Sequence, residues 1–127
     1  MKVNYKVGLA VLVGAVVGIA GTVATRAQQV KAPAYVIAEV EVTNPTEFKK
    51  YAELAPGTLT GFDGHYLVRG GKIHAVEGEA PKRIVVIAFG SAEQAQAWED
   101  SPAYGAIKPI RQGSAKSRIY IAEGLGQ

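Results

Sequence analysis

Residues 34–48 read AYVIAEVEVTNPTEF, and the succession of elements written there decides the fold. Val36, Ala38, Val40 and Val42 fall on one face of an extended chain, with Tyr35, Ile37, Glu39 and Glu41 on the other. That period of two, rich in β-branched residues, predicts a strand with one face buried. Asn44-Pro45-Thr46-Glu47 then supplies a helix N-cap, a proline at the first helical position and a Glu placed to complete a capping box. A strand therefore runs directly into a helix.

Working outward, Phe48, Tyr51, Ala52, Ala55 and Leu59 recur at helical spacing, while Lys49, Lys50 and Glu53 lie off that stripe. Pro56-Gly57 interrupts the pattern and predicts a kink or a restart in the last turn. Residues 61–64 turn the chain into a second strand, His65–Arg69, and Gly70-Gly71 is a hairpin signal leading to a short arm over residues 72–76 or 77. After a turn at residues 78–81, Arg83–Phe89 is apolar on both faces, as a strand covered on both sides would be. Ser91-Ala92-Glu93-Gln94 opens a second helix that carries Ala95 and Trp98 inward. Ser101-Pro102 re-punctuates it, and the continuation bears Ile107 and Ile110 and ends near Gly113 or Ser114. Residues 118–123 form the last strand.

The order is β-α-β-β-α-β with an extra hairpin arm, an α+β ferredoxin-like pattern in which two helices cover one face of an antiparallel sheet. The other face carries Ile37 and either Val85, Ile87 and Phe89 or their neighbours. Left apolar and wet, it calls for a partner sheet, so a homodimer is expected from patterning.

At 127 residues the chain has room for one domain. It holds 14 Lys plus Arg against 11 Asp plus Glu, but Lys2, Lys6 and Arg26 stand in an N-terminal segment without acids. The remainder is neutral, which argues against a nucleic-acid-binding surface. With no cysteine, thiol nucleophiles, disulfides, thiolate zinc sites and iron–sulfur clusters are excluded. The two lysines precede an uncharged apolar run over residues 7–24, followed by small residues at Ala24 and Ala27. Residues 1–27 are read as a secretory signal cleaved after one of these, with export to the periplasm or beyond; the alternative is a retained membrane anchor, with Gly14 and Gly18 as a helix-packing pair. Residues 28–33 read as a linker.

From residue 34 to 125 the chain resembles the family called domain of unknown function 1330, of the dimeric α/β-barrel superfamily. The resemblance is carried by AYVIAEVEVTNPTEFKKYAELAP, GFDGHYLVRGGKIHAVEGE, PKRIVVIAFGSAEQAQAWEDSPAY and the closing RIYIAEG. It implies a ferredoxin-like subunit, and a dimer whose two sheets face each other. It implies no established activity, and the leader lies outside it.

The candidate ligand-binding residues are Glu39, His65, Arg69 and Tyr104. His65, Leu67 and Arg69 share one face of the second strand, and Tyr104 follows a helix break. Grouped around a cavity, they would bind a small polar or aromatic molecule, with His65 or Glu39 taking a proton and Arg69 holding negative charge. The structural alternative pairs Glu39 or Glu77 with Arg69 or Arg83 and leaves Ser101 as a cap and Tyr104 as packing. His65 and His74 could meet across Gly70-Gly71 with Glu77 nearby, but the spacing matches no metal motif, so neither metal nor cofactor is assigned. The expectation is an exported, ligand-binding or structural dimer. The alternative, by analogy with monooxygenases and isomerases of the same superfamily, is a cofactor-independent enzyme.

Overall fold

The computed structural model describes residues 31–126, so the leader and residues 28–30 of the linker lie outside the described residues. Strand β1, Ala34–Val42, is followed by helix α1, Pro45–Thr58, strand β2, His65–Arg69, and strand β3, Arg83–Phe89. Helices α2, Ala92–Glu99, and α3, Pro102–Ser114, lead to strand β4, Ala115–Glu123. The sheet runs β2-β3-β1-β4, and every adjacent pair is antiparallel. This is the ferredoxin-like arrangement, with one helical position divided between α2 and α3.

The caps act as the sequence requires. Asn44 Oδ1 accepts from the Glu47 N–H at 3.2 Å, and Ser91 Oγ accepts from the Gln94 N–H at 3.2 Å. Ser101 caps α3 by accepting from the Tyr104 N–H at 3.2 Å while its hydroxyl donates to the Trp98 carbonyl at 2.7 Å. Helix α1 continues through Pro56 to Thr58, so no restart occurs there. Proline has no N–H to give the carbonyl four residues back, which leaves the Ala52 oxygen free. The Arg69 guanidinium, reaching over from β2, donates to that oxygen.

Register settles which residues face the helices. Val36 lies between Ile87 and Ile121, Ala38 between Val85 and Ile119, and Val40 between Arg83 and Ser117, all on the covered face. Phe48, Ala55 and Leu59 of the α1 region, Trp98 of α2, and Tyr104 and Ile107 of α3 close over them. The opposite face carries Tyr35, Ile37, Ile84, Val86, Ala88, Tyr120 and Ala122. Of the two sets left open for β3, this uncovered face takes Ile84, Val86 and Ala88.

Three expectations are corrected. No strand forms over residues 72–77; residues 70–82 make an irregular, largely exposed connection, and β2 pairs directly with β3. An arm turned back at Gly70-Gly71 would have had only the short edge strand β2 as a partner, and a two-stranded hairpin is marginal in water. The second correction concerns β2, where the register shifts between Tyr66 and Val68. This irregularity at Leu67 puts His65 opposite Ala88 on the uncovered face and Arg69 opposite Val85 on the covered one. His65 and Arg69 therefore point to opposite sides of the sheet. Strand β4 also begins earlier than expected, at Ala115, since it pairs with β1 as far as Val42.

Candidate functional site

Between the helices and the covered face of the sheet lies a cavity of about 40 Å³. Its floor is Val36, Ala38 and Val40 of β1 with Val85 and Ile87 of β3, and Phe48, Tyr51, Trp98 and Tyr104 give it aromatic walls. Three guanidinium groups border it: Arg69 from β2, Arg83 from β3 and Arg111 from α3. No Asp or Glu among the described residues stands at ion-pair distance from any of the three.

Each arginine has a distinct setting. Arg111 is only 8% exposed, and its Nε donates to the Tyr104 hydroxyl at 3.3 Å. That hydroxyl is 2.8 Å from the Tyr51 hydroxyl. Either hydroxyl can be the donor between the two tyrosines, and Tyr104 also accepts from Arg111. Arg69 lies 4.8 Å from the Tyr66 ring centre and ties β2 to α1 through the Ala52 carbonyl. The Arg83 guanidinium lies 5.4 Å from the Phe48 ring centre, and its Nε is buried with no partner.

The phenols remain donors. Burial, then the neighbouring Tyr104, pushes the Tyr51 hydroxyl far above the ordinary tyrosine value. Burial likewise raises that of Tyr66, against an opposing pull from Arg69. Trp98 completes the wall, packing at 4.1 Å between ring centres against Tyr104 and donating from Nε1 to Thr58 Oγ1 at 2.9 Å. The cavity thus offers positive charge and hydrogen-bond donors on an apolar floor, which suits an anion.

Of the four residues singled out from the sequence, the structure brings two together. Arg69 and Tyr104 border the cavity. Glu39 lies on the uncovered face, where its carboxylate accepts from Arg118 Nη2 at 2.8 Å and from the Tyr120 hydroxyl at 2.9 Å, so its partner is neither Arg69 nor Arg83. Those two bonds hold the Glu39 carboxyl below its ordinary value, the Tyr120 bond most. His65 is on the uncovered side as well, its Nε2 3.0 Å from Asp63 Oδ1. Among the described residues no cluster of three His, Asp or Glu could hold a metal. Sequence reasoning missed Tyr51, Arg83 and Arg111 as a set. The available signal was Tyr104 and Arg111 seven positions apart on one helix stripe, together with a cation opening the otherwise apolar β3.

Residues 33–125 match the sequence model of a family described as "Domain of unknown function (DUF1330)". No curated protein matches the chain. Among solved structures, a protein of unknown function from Rhodopseudomonas palustris is similar with a TM-score of 0.62 at 16% identity, over 79% of this chain and 88% of that one. A dimeric ferredoxin-like protein of unknown function from Thermobifida fusca gives 0.54 at 11% identity, over 74% and 92%. SnoaB, a cofactor-independent oxygenase from Streptomyces nogalater, gives 0.52 at 10% identity, over 74% and 94%. At these identities the likeness is one of fold.

Proposed function

We propose that this chain, which belongs to the DUF1330 family, binds a small organic anion in the cavity between its helices and its sheet. The observation that carries this reading is the convergence of Arg69, Arg83 and Arg111 on one cavity, with no carboxylate of the described residues paired to them. Arg111 is buried, Arg83 half-buried and Arg69 exposed; for the first two, burial without a counter-charge is costly, and an anionic occupant removes that cost. Binding is favoured over proton abstraction. The cavity lining contains no carboxylate or imidazole among the described residues, and Tyr51 and Tyr66 are held in their neutral form.

The reading extends to assembly and location. The protein works as a homodimer joined through the uncovered face, where Ile37, Ile84, Val86 and Ala88 form an apolar surface that the helices on the other side of the sheet cannot reach. The leader read from the sequence directs the domain out of the cytoplasm. Among the described residues no helix is long and apolar enough to cross a membrane. Intact-mass measurement on exported material tests this: loss of residues 1–24 or 1–27 is expected, and a full-length mass overturns it.

Trp98 is the only tryptophan of the chain, and it lines the cavity, so binding can be read without a label. Titration with sodium salts of short organic acids, at constant ionic strength, is expected to give a saturable change in Trp98 fluorescence. The corresponding neutral amides are expected to give none. Equal responses to acids and amides, or no saturable response to any acid, would overturn the reading.

A further inference from the structure

We propose that the anion is a short-chain monocarboxylate and that Arg83 is the residue that seats it, an inference that rests on the anion-binding reading above. Arg83 opens β3 opposite Val40, on the covered face of the sheet. Its guanidinium is held between two surfaces. On one side is the Phe48 ring, 5.4 Å from Cζ to the ring centre. On the other is the backbone at Gly70, where an added Cβ would come within 2.1 Å of Nη1 and 2.6 Å of Cζ. Gly70 also has φ +67° and donates its N–H to the Ile84 carbonyl at 2.9 Å. Glycine is favoured at position 70 by its positive φ, and an added Cβ there would make the guanidinium shift.

Within that clamp the Nε of Arg83 is buried and has no partner. A buried N–H is almost always satisfied, so this donor points to an acceptor that belongs there. The edge of a guanidinium that carries Nε presents two parallel N–H groups, a fork that matches the two oxygens of a planar carboxylate. Size narrows the class further. A cavity of about 40 Å³ exceeds the ~10–15 Å³ that a single water needs and is far smaller than the ~300–1,000 Å³ of pockets that enclose a drug-sized ligand. It admits an acid group with a short alkyl chain, which Val36, Ala38 and Ile87 would line. A tetrahedral dianion is bulkier and would face an apolar floor.

The test is a set of Trp98 fluorescence titrations with sodium acetate, sodium propionate, acetamide and sodium phosphate at constant ionic strength. They are run on the full chain and on R83Q, R83K and, as a control for surface charge, K49Q, an exposed cation of α1. Circular dichroism and melting curves establish that each variant is folded. Wild type and K49Q are expected to bind acetate and propionate in preference to acetamide and phosphate. R83Q is expected to lose about 10- to 100-fold in acetate affinity, the loss typical of a deleted charge-assisted hydrogen bond. R83K is expected to fall between them, since an ammonium keeps the charge without the fork. If R83Q does not fold, R83K carries the decision, and wild-type affinity there overturns the role of the fork. Wild-type acetate affinity in R83Q, or tighter binding of phosphate than of acetate, overturns this inference and leaves anion binding standing. Acetamide binding as well as acetate, or no response to any anion, overturns both.

Discussion

Ser101 ties two helices together through one oxygen, taking the Tyr104 N–H of α3 and giving its proton to the Trp98 carbonyl of α2. Because the side chain is buried, no water can replace either bond, and S101A is expected to cost about 1–2 kcal/mol, read from urea unfolding midpoints. A loss indistinguishable from zero would mean that the junction between the helices is set by packing alone. Glu39 makes a prediction in pH. Tyr120 and Arg118 lower its folded pKa, so on acidification the unfolded chain takes up the proton first. Its contribution to stability is therefore full above the ordinary Glu value of ~4.3 and is lost as pH falls through the lowered folded value. E39Q should flatten that part of the stability–pH curve, and an unchanged acid limb would count against the pairing. The cap was legible in the sequence because capping is decided within four residues. The partners of Glu39 were not, because they come from β4, and only the register of β1 against β4 brings Arg118 opposite it.

Pro56 shows how a local rule acquires a distant consequence. The ring removes an N–H from α1, the Ala52 carbonyl is left without its helical donor, and Arg69 of the edge strand takes that place beside the cavity. P56A restores the N–H. It is expected to raise stability by up to ~3 kcal/mol, the penalty of proline in a helix interior, while releasing the Arg69 side chain. Urea unfolding would read the first effect and the Arg69 side-chain NMR signals the second. Unmoved signals would show that Arg69 holds the carbonyl whether or not the helix claims it. The elements were largely readable from period and punctuation, and at Pro56-Gly57, read as a kink or a restart, the helix continues without restarting. The irregularity at Leu67 left no mark in the pattern, since HYLVR alternates no differently with it or without it. That single offset is why Arg69 borders the cavity while His65 lies on the other side of the sheet.

At the scale of the molecule, the uncovered face predicts self-association. I37K places a charge opposite Val86, in the centre of that face, and is expected to convert a dimer into a folded monomer in sedimentation at micromolar concentration. A wild-type chain already monomeric under those conditions would refute the assembly. The fold class was legible because patterning reports layers, whereas the cavity was not, because it is made by what three helices leave uncovered over one side of the sheet. The two sides of β1 alternate residue by residue: Val36, Ala38 and Val40 floor the cavity, while Tyr35, Ile37 and Glu39 face away from it. Changes that alter what a subunit holds thus lie one position along the chain from changes that alter its association, and natural variation can revise either property while leaving its neighbour intact.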